Sequence, residues 1–221
     1  YHAFHTADHA AAPDRWAVDS EVIAEPLEPP TQVADIVVRP DGSLVGAYAS
    51  GDRIHYQIRS PEGAWSSPVA IDADDPAGFT NPSLAAGADG NVDIAYKRFD
   101  GTGWFRQLLP DDSLTPRASF ADNLGTAEDE HMAILPLVHL PDRATTVIVF
   151  RESDGYLYER HRSSEGQWSD RRRLSDRPVV TNAVDSDQAG ADAVAVGDQL
   201  MVPFIASEDR DLYLAVAKLG A

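Results

Sequence analysis

One arrangement of residues occurs four times along this chain and limits what the chain can fold into. An apolar strand is followed by a tight turn on Asp or Gly, a second strand ending in an aromatic, another turn, and a third strand carrying a second aromatic. The copies read ADIVVRPDGSLVGAYASGDRIHYQIRS, SLAAGADGNVDIAYKRFDGTGWFRQLL, LPLVHLPDRATTVIVFRESDGYLYERHRS and ADAVAVGDQLMVPFIASEDRDLYLAVAK. Tyr48, Tyr96 and Phe204 each stand seven residues after the turn residues Asp41, Asp89 and Gly197, and Phe150 stands eight after Asp142. Tyr56, Trp104 and Tyr158 follow those aromatics by eight residues and Tyr213 by nine. Spacing this constant marks one structural unit copied four times.

The apolar segments alternate with period two, are rich in Val and Ile, and are broken by Gly, Pro or Asp every eight to twelve residues, which makes them strands. Only Ala118–Met132 admits a short helical turn. The steps between second-strand aromatics, 48, 54 and 54 residues, suit four-stranded blades. A Ser-x-Glu-Gly-x-Trp turn, Ser60 to Trp65 and Ser163 to Trp168, marks the entry to a fourth strand in two units, with the Trp expected between blades. The expectation is an all-β chain: a β-propeller of four-stranded antiparallel blades, with four to five blades or forming part of a larger propeller. Residues 1–221 then make one domain with units near 31–75, 76–124, 125–177 and 178–221. Residues 1–24 resemble third and fourth strands, with Asp14-Arg15-Trp16 at the turn, and the last unit stops after its third strand. The segment 1–24 is therefore expected to supply closing strands, since closure removes exposed sheet edges.

Composition narrows the partners. The chain has 36 acidic against 18 basic residues, a net charge of −18, which repels phosphate backbones and anionic lipid and argues against nucleic acid and membrane. No apolar run approaches the roughly 20 residues of a spanning helix. The absence of cysteine excludes disulfides, thiol catalysis and Cys-ligated zinc. An acidic, Cys-free β-protein punctuated by Gly and Pro fits secretion. The start at Tyr1 reads as a processed or partial chain, so a missing leader carries no weight.

At DGYLYERHRSSEGQWS and RIHYQIRSPEGAWSSP the chain resembles BNR-repeat and sialidase-like propellers, and also bacterial and fungal propeller lectins. That resemblance implies the propeller architecture and carbohydrate recognition. The sialidase Asp-box, Ser-x-Asp-x-Gly-x-x-Trp, is shortened here, with Glu62 or Glu165 in the acidic place, and there is no Arg-Ile-Pro motif. Sialidase activity is not implied.

In a propeller the loops entering the innermost strands gather at one mouth of the central channel. Nine positions before the first turn stand Gln32, Thr80 and Gln188, and Glu130 and His131 stand twelve and eleven before Asp142. The entry regions hold Gln32 and Asp35; Thr80 and Asn81; Glu128, Asp129, Glu130 and His131; and Asn182, Asp185, Asp187, Gln188 and Asp192. Carboxylates and amides give sugar hydroxyls directional partners. These groups differ between units, as a single central pocket requires, whereas one sugar site per blade would repeat them.

The leading reading is a glycan-binding, lectin-like propeller with Gln32, Thr80, Asn81, Lys97, Arg151, Asp185, Gln188 and Asp192 on the ligand. The alternative is a glycan-active enzyme. A glycoside hydrolase would use Glu130 and Asp187 as its two carboxylates. A polysaccharide lyase would use His131 or a Tyr as base beside Lys97 or Arg151. A protein-interaction scaffold is the third class.

No cofactor is expected. The Asn182–Asp192 segment reads as Asx-type turns, a polar ligand site or, through Asp-x-Asp, an oxygen site for calcium. Glu128 to His131 is a solvated acidic face or a proton shuttle. His2, His5 and His9 read as surface residues rather than a metal site. The run Arg171–Arg173 reads as a solvated turn offset by Asp170 and Asp176, or as a docking patch. Oligomeric state stays open.

Overall fold

The computed structural model describes residues 2–4, 17–19, 31–73, 79–98, 100–124, 137–140, 145–179, 193–209 and 211–219, with the side chains of 2–4, 17–19, 31–34 and 79–81 excepted. They hold seventeen strands and no helix. Blade 1 is β3 (Thr31–Val38), β4 (Leu44–Ser50), β5 (Arg53–Arg59) and β6 (Val69–Ala70). Blade 2 is β7 (Phe79–Ala86), β8 (Val92–Arg98), β9 (Gly103–Leu108) and β10 (Ala118–Ala121). Blade 3 is β11 (Leu137–Leu140), β12 (Thr145–Arg151), β13 (Leu157–Arg162) and β14 (Arg172–Arg173). Blade 4 has three strands, β15 (Val194–Val196), β16 (Gln199–Ile205) and β17 (Leu212–Lys218). Strands β1 (His2–Phe4) and β2 (Ala17–Asp19) pair with each other as a separate sheet. All the pairings are antiparallel.

The turns show why this sequence makes meanders. Asp41, Asp89, Asp100, Asp111, Asp154 and Asp209 each accept a hydrogen bond from the backbone N–H two residues on, at 2.9–3.1 Å. This contact closes the loop locally and leaves the chain reversed. The fourth-strand turn is built three times rather than twice. Gly63 and Gly166 donate to the carbonyls of Ser60 and Ser163, and Asp112 donates in the same way to Leu109. Asp112 takes the glycine place with φ 64°, and Leu114 takes the Trp place in the bridge to Leu108. A side chain in that backbone region costs about 1 kcal/mol. It is offset by Arg39, 5% exposed, which reaches over from blade 1 to the Asp112 carboxylate at 2.7 Å and the Leu109 carbonyl at 2.9 Å.

Burial explains the strands' apolar pattern. Strands β8 and β12 are buried on both faces because a blade lies against each side, and β4 because blade 2 lies against one side while Trp65 of its own blade covers part of the other, so alternation gives way to continuous apolar sequence. Blade 4 alternates, with Leu200, Val202, Phe204 and Ala215 packed toward Val147, Val149 and Leu157 of blade 3. Trp168 sits between blades as expected, edge-on to Phe105 at 5.3 Å and tilted on Phe120 at 6.0 Å. Trp65 instead lies over Gly46 of its own blade. Arg106 and Arg160, each two residues past the third-strand aromatic, donate to the carbonyls of Ile71 and Phe120 at matching places in the preceding blade.

The helical reading of Ala118–Met132 is corrected at its start. Ala118–Ala121 is β10, held to β9 through Ala118 opposite Phe105, because blade 2 needs a fourth strand there. Residues 125–132 lie outside the described residues. The basic run has specific partners: Arg171 pairs with Glu152, and Arg172 pairs with buried Glu159 and donates to the Lys218 carbonyl. Arg173 covers the Tyr156 ring at 3.8 Å.

Candidate functional site

The innermost strands β3, β7, β11 and β15 border the central space. At the entry end, β3 and β7 carry the same irregularity. Gln32 pairs with Ala49 but Asp35 with Ala47, leaving Val33 and Ala34 opposite Tyr48. Thr80 pairs with Lys97 but Ser83 with Ala95, leaving Asn81 and Pro82 opposite Tyr96. Two residues facing one is a bulge, which bends the strand and re-aims its side chains, a device common beside binding sites. Gln32 and Thr80 thus stand at one level, just outside matching bulges in consecutive blades. The aromatics opposite are buried: Tyr48 donates to Gln57, and Tyr96 donates to Asp72, which also meets Arg106. Burial and then the Asp72 contact push the Tyr96 phenol far above its ordinary pKa.

Lys97 and Arg151 occupy the same position in successive blades, one residue past Tyr96 and Phe150. Lys97 is 1% exposed, and Arg151 donates through Nε to the Gly155 carbonyl at 3.3 Å. Asp35 accepts from the N–H of Ile36 at 2.8 Å and that of Leu84 on β7 at 2.7 Å, joining two inner strands. Gln32, Thr80 and Asn81 are placed by backbone alone. Glu128, Asp129, Glu130, His131, Asn182, Asp185, Asp187, Gln188, Asp192, His5 and His9 lie outside the described residues. Among the described residues no three His, Asp or Glu side chains form a metal-binding group.

The opposite, turn-side end is largely apolar, with His139 and Arg39 as its polar side chains among the described residues. A cavity of about 490 Å³ is bordered by Ala85 and Ala86, Leu137 to Leu140, and Ala193 to Ala195. A second, of about 350 Å³, is bordered by Val38, Arg39, Ala86 and Gly87, and His139 borders both. The His139 ring edge lies against Gly87, where a β-carbon would come within 3.2 Å of Nε2. Its Nδ1 faces the Asp93 carboxylate at 3.7 Å. Asp93, 1% exposed, also accepts from the Thr146 hydroxyl and from Gln107 Nε2 at 2.8 Å, and Gln107 in turn accepts from Arg162 at 3.1 Å.

This connected polar set between blades 2 and 3 was not among the sequence-derived candidates. Its signal was an acid in an apolar row, since the third position before each second-strand aromatic reads Val45, Asp93, Val147 and Met201.

Asp93 raises the His139 pKa, against burial, with a further contribution from Asp89. The resulting stabilisation is complete below the unfolded value of about 6.5 and is lost as pH rises through the higher folded value. His55 has the opposite sign: burial lowers its pKa, so its effect falls below about pH 6.5. Urea unfolding from pH 6.5 to 9 is expected to show the parent losing stability on the alkaline side relative to His139→Gln. Parallel curves would remove His139 from the account.

No protein-family model matches the chain, and no curated protein matches it in sequence. Solved structures do match in fold. A protein of unknown function from Dyadobacter fermentans is 16% identical with a TM-score of 0.56, over 82% of this chain and 51% of that one. The SapL1 lectin in complex with α-methyl fucoside is 15% identical with a TM-score of 0.56, over 85% and 60%. The Aleuria aurantia lectin with α-methyl-L-fucoside is 17% identical with a TM-score of 0.51, over 81% and 57%. The likeness is one of fold: this chain has the β-propeller architecture of such lectins, and the match spans about half to three-fifths of their length.

Proposed function

We propose that this propeller binds carbohydrate at the entry end of its channel. The observation that carries the reading is the repeated bulge, which sets Gln32 and Thr80 at one height at the start of two adjacent inner strands. By the sequence repeat, Gln188 and the Glu130–His131 pair are expected at the corresponding entry of the other two units. Support comes from two lectins of the same fold in complex with α-methyl fucoside, and from the amides, hydroxyls and carboxylates that the entry positions supply. Secretion and a glycan partner rather than nucleic acid or membrane accord with the net charge of −18. The sialidase-like reading reaches no further than the turn sequences.

On a glycan array, with α-methyl fucoside as first competitor, the parent is expected to bind. Gln188→Ala and His131→Ala are each expected to weaken binding by about tenfold to a hundredfold, the effect of losing a polar contact worth roughly 1.5–3 kcal/mol. Retention of no glycan at all overturns the proposal.

The enzymatic reading is favoured by one observation, that the entry residues differ from unit to unit as a single central site requires. It assigns Glu130 and Asp187 as the carboxylate pair of a hydrolase. Release of sugar from a polysaccharide panel by the parent, and not by Glu130→Ala or Asp187→Ala, would establish it in place of simple binding.

A further inference from the structure

The turn-side ends of the four inner strands carry one row of equivalent residues. Val38, Ala86, His139 and Ala195 pair with Leu44, Val92, Thr146 and Leu200, each four residues before its second-strand aromatic. Three of the row are aliphatic and the fourth is an imidazole. Ala86 and His139 border both cavities, and they belong to blades 2 and 3, away from the outward faces of blades 1 and 4.

His139 is held from one side and open on the other. Its Nδ1 has no contact with solvent and faces the buried Asp93 carboxylate, which Thr146 and Gln107 fix in turn. The ring edge that carries Nε2 lies against Gly87, whose missing β-carbon leaves it room. Among the described residues Nε2 has no hydrogen-bond partner, and the side chain is 16% exposed. The partner of one ring nitrogen sets what the other presents, so Asp93 aims Nε2 at the cavities.

We infer that this end of the channel is a second binding site, for a small uncharged molecule with an apolar body and one oxygen acceptor, the acceptor meeting Nε2–H of His139. The wall selects that class. Ala85, Ala86, Leu137, Leu140, Ala193 and Ala195 give apolar contact and no polar side chain, so the hydroxyls of a sugar would lose their partners. The larger space, about 490 Å³, is of the size that takes small molecules. Charge argues against an anion. Two carboxylates act on the ring, Asp93 on β8 and Asp89 on the turn before it, while Arg39 is already paired with Asp112 and Arg162 is bound to Gln107 behind Asp93. Asp93 favours the protonated ring, in which Nε2 is a donor. As pH rises through the raised folded value, Nδ1 keeps its proton toward Asp93 and Nε2 becomes an acceptor, so the ligand's oxygen is no longer held.

Ligand-observed NMR titration with acetophenone tests the inference. Saturable binding to the parent is expected at pH 6.5, weaker by about tenfold at pH 9 and for ethylbenzene, which keeps the apolar body and lacks the oxygen. His139→Leu, with an unchanged β-sheet circular dichroism spectrum, is expected to bind acetophenone about tenfold more weakly at pH 6.5 and without dependence on pH. α-Methyl fucoside, directed to the entry end, is expected not to displace acetophenone. Absence of saturable binding overturns the inference, as does equal binding of ethylbenzene or parent-like binding by His139→Leu. Tighter binding of benzoate overturns it in favour of an anion site, and displacement by α-methyl fucoside overturns the separateness of the two ends.

Discussion

Asp93→Ala is expected to lose about 3–5 kcal/mol of unfolding free energy, as is usual when one member of a buried, charge-bearing set is removed. The carboxylate is 1% exposed and serves three groups from two blades: Gln107 beside it on blade 2, and Thr146 and His139 on blade 3. Truncation strands the Gln107 amide and the Thr146 hydroxyl without an acceptor. It also takes from Arg162, itself bound to Gln107, the carboxylate that favours its charge against burial. Asp93→Asn keeps one acceptor and the shape, and a threonine hydroxyl can turn from donor to acceptor, so a loss of only about 1–2 kcal/mol is expected. Because Asp93 is the chief cause of the raised His139 pKa, Asp93→Ala is also expected to flatten the alkaline pH dependence. Denaturant titration at pH 6.5 and 8.5 measures both. An Asp93→Ala protein within 1 kcal/mol of the parent, with the pH dependence intact, would mean that the contacts around Asp93 do not hold blades 2 and 3 together.

Why the turns were readable and this set was not comes down to range. An Asp two residues before an N–H, or a Gly at positive φ, answers a local backbone demand, so Asp41, Gly42, Asp89 and Gly90 announce their turns in sequence. The aromatic spacing is similarly local, because Tyr96 and Trp104, Phe150 and Tyr158, and Phe204 and Tyr213 are cross-strand partners within their hairpins. The third fourth-strand turn was hidden because its strain is relieved from another blade: Asp112 stands where glycine is expected, and the compensation, Arg39, lies 73 residues away. Asp93 and His139 belong to different blades and meet only through packing. The same distinction redirected the basic run. Its sequence neighbours Asp170 and Asp176 were the expected counter-charges, yet strand pairing sets Arg172 opposite Glu159 and brings Arg171 to Glu152. At the entry end, Lys97 and Arg151 stand one residue past the paired aromatics Tyr96 and Phe150, and Gln32 and Thr80 stand beside equivalent bulges. The bulges themselves were illegible, since the residues forming them, Val33-Ala34 and Asn81-Pro82, share no side-chain type.

Gly103→Ala is expected to cost about 2–3 kcal/mol although it adds a single methyl group. Gly103 opens β9 and pairs with Lys97 on one side and Ala121 on the other. A β-carbon there would come within 2.5 Å of the Phe120 ring tip and 2.8 Å of a Leu124 methyl, both inside van der Waals contact. Neither neighbour has room to retreat. Phe120 is 1% exposed and wedged against Phe150 at 5.6 Å and Trp168 at 6.0 Å, and Leu124 is 2% exposed. Overpacking of a closed core costs roughly 1–3 kcal/mol, and here the strain falls where blades 2 and 3 meet. Gly42→Ala supplies the contrast. That residue sits at φ +86° with open space around the missing β-carbon, so its expected cost is the backbone preference alone, about 1 kcal/mol. Shortening the obstructing ring should relieve the first variant and not the second: on a Phe120→Leu background, Gly103→Ala is expected to cost less than half as much, while Gly42→Ala costs the same. Equal losses for Gly103→Ala on the two backgrounds would show that the glycine is required for the strand's own backbone and not for the approach of blade 3.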